Sequence, residues 1–484
     1  MFYLLVAIIS TTLLVSCGKE QGDAQDGNHE IDSVLVGPVD TVYGKAFPID
    51  AQEIDVAFEL DATAARVNTV AQIKAKIVSD EYKPLFAIPS DAQNIQIKID
   101  GNLLGAADIH AVDLPESANS RYHVLNEQLS RGVHQIEVRY AFTNRQSLLS
   151  DFADINGKGL QAYVPCNPML YDRFEFLGKV SVTNAAANAY RFYSNGVVQS
   201  TGVNAWSFKQ ASRVNALAPY FHLLRESAIV GSTTRTYNGL NGPITVSAYR
   251  TDTAAPSTAD AADLAVTELG RLEGLLGAYA HGDKFIIYLE PGRGGMEFAG
   301  ATISSLAALK HEVFHSWFAT GVFPRYYSDA WLDEALARWF DNANPATPLN
   351  ASSSVRLSGY SPYELRFPVE AYAFGSQLMA HLAHLAGGGP AFIQLLGAFF
   401  ELNKLKTVTT EEFRDFVEVW LKQDLDAFFM TYVYRSKARV GDEPIDAAGA
   451  VDAQQKSVPL SPRKEGLEAA PFFTSQSENQ IAPN

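Results

Sequence analysis

His311-Glu312-Val313-Phe314-His315 constrains this chain more than any other stretch of it. Two histidines at i and i+4 share one face of a helix, about 5–6 Å apart at Cβ. That spacing suits a single zinc ion, which takes imidazole nitrogen at about 2.0–2.1 Å and in catalytic sites keeps a position for water. Glu312 stands roughly 100° around the helix from His311. It is therefore placed to act on that water as a general base rather than to bind the metal. Glu334 follows His315 with eighteen residues between them. The segment Asp329 to Phe340 carries Trp331, Leu332, Ala335, Leu336 and Trp339 at helical spacing, so Glu334 sits on a second amphipathic helix. His311, His315 and Glu334 are the expected ligands of one zinc ion per chain, and the fold must bring two helices side by side to join them.

Composition narrows the remaining choices. A chain of 484 residues is too long for one core and divides into two or three domains. Hydrophobic residues at 47% and charged residues at 19% are those of a folded globular protein. The formal charge is −16 and no basic run occurs, which sets nucleic-acid binding aside. No nucleophile elbow and no phosphate-binding glycine loop competes with the zinc motif.

Residues 1–17 read as a targeting segment rather than as fold. Phe2 to Val15 is apolar apart from Ser10, Thr11 and Thr12, too short to span a bilayer and of signal-peptide length. It ends in Leu14-Val15-Ser16-Cys17, which resembles a bacterial lipobox with Cys17 as the lipidated residue. The stretch 18–39 is mostly small and polar, as a flexible tether would be. The expectation is a protein of the bacterial cell envelope, outside the cytoplasm, touching a membrane through its N-terminal lipid. With Cys17 so used, Cys166 has no partner for a disulfide and is expected to be a packed small residue.

The body changes character once. Over 40–224, period-two runs such as Val56–Leu60, Gln72–Val78, Ile95–Ile99, His134–Tyr140, Phe176–Val182 and Trp206–Phe208 predict an all-β domain of sandwich or saddle shape. Asp100-Gly101 and Asn195-Gly196 read as hairpin turns. Over 225–435 strands at Ile244–Tyr249 and Lys284–Glu290 lead into helices. These are predicted at Ala261–Tyr279, at Thr302–Trp317 bearing the zinc motif, at the Glu334 segment, and at Glu370–Ala386 closed by Gly387-Gly-Gly389-Pro390. Ala391–Phe400, Thr410–Leu421 and Leu425–Tyr434 complete a helical lobe. Residues 436–484 read as a polar tail. The predicted fold class is multidomain α+β.

Several further stretches fall in the order of a known family. Gly294-Gly-Met-Glu297-Phe298 resembles a Gly-x-Met-Glu-Asn motif, Trp331-Leu-Asp-Glu334 a Trp-Leu-Asn-Glu motif, and Tyr372-Ala-Phe-Gly375 a Tyr-Glu-Lys-Gly motif. Val164-Pro-Cys166-Asn-Pro168 echoes a Phe-Pro-Cys-x-Asp segment. Together they resemble the gluzincin zinc peptidases of the aminopeptidase N and leukotriene hydrolase group. That resemblance implies an N-terminal β saddle followed by a thermolysin-like catalytic domain. It implies a zinc aminopeptidase with His311, His315 and Glu334 on the metal and Glu312 as base. Tyr372 would hydrogen-bond the oxyanion, and Glu297, with Gly294, Gly295 and Met296, would hold the free amino terminus of a peptide substrate. Gln161 would line the same amine pocket. Phe298 stands where the family has Asn. Only about 50 polar residues follow the catalytic half, so the family's large C-terminal helical domain is expected to be missing. An open-cleft endopeptidase, a glycyl-aminopeptidase-like enzyme and a non-catalytic peptide-binding lipoprotein are the alternatives. Oligomeric state is unassigned.

Overall fold

The computed structural model of the protein describes residues 37–112, 114, 120–126, 128–149, 160–167, 173–350, 353–361, 363 and 367–435. Cys17, most of the tether and the tail 436–484 lie outside them, as does the side chain of Gln161, whose backbone forms a 3-10 turn, Leu160–Ala162.

The β-rich part forms around long alternating strands. Asp50–Asp61, Arg66–Ile77 and Gly132–Phe142 pair in antiparallel register at the middle of an eight-stranded sheet. Glu175–Thr183 joins Asp50–Asp61 in parallel. Each strand buries every second side chain, as its period-two pattern requires: Ile54, Val56, Phe58 and Leu60 from one, Ile136 and Val138 from another. A five-stranded sheet and a three-stranded sheet complete this part. All six period-two runs read in the sequence fall in strands or, for Val78, one residue beyond. Asp100-Gly101 is a hairpin turn, with both residues at positive φ (48° and 85°) between Gln93–Ile99 and Asn102–Leu103.

Asn195-Gly196 is not a hairpin turn. Tyr190–Ser194 pairs with Phe221–Arg225, whereas Val197–Gly202 pairs with Ala205–Lys209. The dipeptide is a crossover between sheets, and Asn195 is there for its side chain. Its Nδ2 donates to the carbonyls of Ala218 and Ala299, both at 2.8 Å. Its Oδ1 accepts from Gln210 Nε2 at 2.6 Å and from the Tyr220 amide at 2.9 Å. A buried amide with its bonds so used ties segments distant in sequence.

The second part is built on a five-stranded sheet in the order Gly231–Gly239, Gly242–Arg250, Lys284–Leu289, Ala301–Ser304, Gly295–Phe298. The inner pairings are parallel and the edge strands antiparallel. A long helix, α1 (Thr258–Leu276), crosses one face; Ser257 caps it by accepting from the Asp260 amide. The helices that follow are α2 (Leu309–Phe314), α3 (Trp331–Asp341), α4 (Ser376–Leu385), α5 (Gly389–Asn403), α6 (Thr410–Leu421) and α7 (Asp426–Tyr432). The Gly387-Gly-Gly-Pro stop separates α4 from α5, with Gly387 and Gly388 at positive φ. No single helix among the described residues is long and apolar enough to cross a membrane.

The zinc-motif helix is shorter than the sequence predicted. Residues 301–304 are a buried strand pairing with Lys284–Leu289, and helix begins only at Leu309. The β-branched residues Thr302 and Ile303 take the strand because both faces there are covered, and Ser305 Oγ caps the turn by accepting from the Ala308 amide at 3.2 Å. After Phe314 the chain continues as helical turns through Phe318.

Three tryptophans fix the helices around this segment. Trp317, Trp331 and Trp339 are fully buried, yet each indole N–H is satisfied: by Gly277 O at 2.9 Å, Thr410 Oγ1 at 3.1 Å and Pro345 O at 2.7 Å. Burying so much ring surface with no lost donor is worth several kcal/mol per residue. The edge strand Gly295–Phe298 is held from behind by Phe298, 2% exposed, whose ring lies 5.2 Å from that of Tyr220. The phenylalanine that departs from the family motif is thus the anchor of that strand on the β-rich part.

Candidate metal centre

The sheet edge, α2 and α3 meet at a cleft of about 1060 Å³. His311 and His315 come from α2 and the turn that ends it; Glu334 comes from the first turn of α3. One ligand atom from each lies within 4.8 Å of the others. His311 Nε2 stands 3.0 Å from Glu334 Oε2, and His315 Nε2 3.6 Å from the same oxygen. The two rings are edge to face, 4.8 Å between centroids.

The other ring nitrogens have separate partners. His311 Nδ1 faces Asp341 Oδ2 at 2.9 Å, and His315 Nδ1 faces the carbonyl of Phe318 at 3.1 Å. With those Nδ1 atoms protonated and donating, each ring keeps an Nε2 lone pair aimed at Glu334. Outer partners of this kind fix the tautomer and orientation of metal-binding histidines. Nitrogen, nitrogen and carboxylate oxygen converging in this way match the donor set of a catalytic zinc site. The residues present therefore fit the metal that the sequence led us to expect.

The charges of the cluster agree. Burial works against the charged form of His311, but hydrogen bonds to Asp341 and Glu334 outweigh it and push the ring up to about 10. Burial would raise Glu334, yet His315 and His311 hold it well below the ordinary carboxylate range. The carboxylates thus draw positive charge onto the two rings. A divalent cation supplies the same charge in exchange for those protons.

Glu312 lies on the far side of the pair. It is 5% exposed, and its Oε2 has no hydrogen-bond partner although it is buried. Burial is the main cause that pushes this carboxyl up to about 8, against the pull of His311 and His315. Gly295 makes room for it: a β-carbon at that position would collide with the Glu312 carboxylate. The glycine is needed for close approach of the edge strand to α2. Gly294 contributes its carbonyl, which accepts from the Ser305 amide at 2.9 Å and ties the loop to the approach of α2. Met296 packs partly into the cluster around Phe298.

Tyr372 reaches the same point from another element. It lies in a π-helical turn, Ala371–Gly375, that runs into α4, and π turns occur often at functional sites. Its hydroxyl donates to Glu334 Oε1 at 2.7 Å. Burial and the neighbouring Glu334 raise this phenol far above its usual range, so it stays an O–H donor. Glu297 projects from the edge strand into the cleft, half-buried, and burial raises its carboxyl.

Six of the sequence-predicted residues, Gly294, Gly295, Met296, Glu297, Glu312 and Tyr372, therefore line one cleft with the three candidate ligands His311, His315 and Glu334. Cys166 is buried at 2% exposure, as a packed residue would be. Sequence reasoning missed Asp341 and Asp333. Asp341 could have been found, since it lies seven residues after Glu334 and so on the same face of α3. Asp333 lies one residue from a ligand, and periodicity gave no reason to single it out.

No family model matches the chain. Leukotriene A-4 hydrolase of Xenopus laevis is 26% identical over a segment covering 32% of this chain and 32% of that protein, so the match spans about a third of the curated relative. Among solved structures, the M1 zinc metallopeptidase from Deinococcus radiodurans superposes with a TM-score of 0.55 at 17% identity, covering 82% of this chain and 96% of that one. Yeast LTA4 hydrolase gives 0.59 at 14% identity, over 83% and 70%. Aminopeptidase A of Legionella pneumophila, in complex with aspartic acid, gives 0.60 at 14% identity, over 80% and 49%. At these identities the likeness is one of architecture, and the chain carries the α+β fold of the M1 zinc metallopeptidases and LTA4 hydrolase.

Proposed function

We propose that this protein is a zinc-dependent aminopeptidase that removes N-terminal residues from peptides. The observation that carries this reading is the convergence of His311, His315 and Glu334 beside a buried, unpartnered Glu312 in one cleft. His311, His315 and Glu334 would hold the zinc ion, which when bound would supply Lewis acidity toward the scissile carbonyl and water. Glu312, buried in the cleft with an unpartnered carboxylate oxygen, accepts a proton from the attacking water and returns it to the leaving amine. Tyr372 donates a hydrogen bond from its hydroxyl to the developing oxyanion, a contact worth about 3–4 kcal/mol in comparable sites. Glu297 takes the substrate's α-ammonium and so sets cleavage one residue from the chain end.

The β saddle followed by a thermolysin-like domain, divided near residue 225, belongs to the same reading. So does lipidation at Cys17, which would tether the body to a membrane of the bacterial envelope.

The test is a pair of substrates. Zinc-loaded protein lacking residues 1–17 is offered Ala-Ala-Ala and N-acetyl-Ala-Ala-Ala. Release of alanine from the first and no cleavage of the second is expected. Equal cleavage of both, or cuts only within longer chains, would favour an endopeptidase of the same fold.

A further inference from the structure

The acidic side chains of the cleft outnumber what the metal and the base can use. Glu334 is committed to the metal and Glu312 to water, and Asp341 serves His311. Glu297 and Asp333 remain. Asp333 is 7% exposed and lines the cleft. Its Oδ1 accepts from the Glu334 amide at 3.0 Å, and no donor among the described residues meets its Oδ2. Glu297 accepts no hydrogen bond from another described residue. Oxygens of Glu297 and Asp333 lie, with a nitrogen of His315, within 4.8 Å of one another.

Two acidic side chains so placed can accept one cation between them. A second metal ion does not fit: His315 Nδ1 is turned to Phe318 O, so its one remaining lone pair already faces Glu334. An ammonium does fit. Two oxygens each bonded at about 2.8 Å to one tetrahedral nitrogen stand about 4.6 Å apart. The third N–H of such a nitrogen is left for another acceptor.

Resting on the aminopeptidase reading, we propose that Asp333 is the second anionic wall of the substrate's ammonium site. It contacts the substrate terminus directly and determines selectivity for an unblocked, protonated N-terminus.

The experiment uses zinc-loaded Glu312→Gln protein, in which peptides bind without turnover. Calorimetry measures Ala-Ala-Ala against N-acetyl-Ala-Ala-Ala in that background and with Asp333→Asn added. The expected result is at least a tenfold preference for the free amine, of which Asp333→Asn removes tenfold or more. Zinc content and affinity for the acetylated peptide should stay unchanged. An undiminished preference in the asparagine variant overturns the assignment and leaves the aminopeptidase reading standing. No preference in the parent overturns both. Should the asparagine variant lose its metal, Asp333→Ser takes its place and the same outcomes decide.

Discussion

At the scale of single residues, the site depends on partners that hold a ring or a carboxylate in one orientation. Asp341 is the clearest case, because its Oδ2 holds His311 Nδ1 at 2.9 Å while the other ring nitrogen faces Glu334. Asp341→Asn keeps the shape but removes the charge that fixes the ring's tautomer. Loss of such an outer partner typically costs about 10–100-fold in metal affinity. The expected outcome is weaker zinc retention against a competing chelator, with full activity restored at saturating zinc. Unchanged retention would assign the His311 orientation to packing instead. The candidate ligands His311 and His315 and the neighbouring Glu312 were legible in the sequence because they stand at fixed spacing on one helical segment, and Glu334 because it falls in the amphipathic repeat of a second helix. Asp333 was not legible, since its significance comes from Glu297, a residue on a different element that only the fold brings near.

At the scale of elements, the π turn Ala371–Gly375 places Tyr372 by lying directly on α3. Gly375 permits this contact: a β-carbon there would stand 2.8 Å from that of Ala335. Gly375→Ala is expected to push the turn away, at a cost of about 1–3 kcal/mol in stability. It should also separate Tyr372 from Glu334 and lower kcat more than it raises KM. Steady-state kinetics beside a thermal melt will show whether both effects occur; a destabilised variant with wild-type kcat would free Tyr372 from its assigned role. Helices with strong amphipathic repeats, such as Trp331–Asp341 and Thr410–Leu421, could be read from sequence alone. The start of the zinc-motif helix could not. Residues 301–304 are buried on both faces because they are an inner strand, with Ala301 and Ile303 on one face and Thr302 and Ser304 on the other, and four residues are too short a run for period to distinguish strand from helix.

At the scale of the whole molecule, the β-rich part and the catalytic part meet through buried aromatic and polar side chains. Tyr193 stacks on Tyr249 at 3.9 Å between centroids, and the Tyr249 hydroxyl lies 2.8 Å from His222 Nδ1. Burial pushes His222 down to about 3 and His281 down to about 4. A histidine lowered in the folded state from its ordinary value of about 6.5 adds stability above that pH, and the stability is lost as pH falls toward the folded value. Stability should therefore fall between pH 6.5 and pH 4, by up to about 1.4 kcal/mol per pH unit for each ring, and the melting temperature should fall with it. His222→Gln should weaken that dependence; an identical pH profile would mean the ring is already solvated. The alternation of the long strands made the β-rich part readable. The crossover at Asn195 was not, because an Asn-Gly pair signals a turn whether or not its two flanking strands pair with each other.

The account rests on three side chains from α2 and α3 holding one zinc ion. The most direct measurement is metal analysis of purified protein after dialysis, compared with His315→Ala and Glu312→Gln variants. Zinc near one equivalent in the parent and in Glu312→Gln, with its loss in His315→Ala, is the expected result, together with a fall in kcat of about 10²–10⁴-fold for Glu312→Gln. A parent protein that retains no zinc after loading, or a His315→Ala variant that holds it as tightly, would contradict the account.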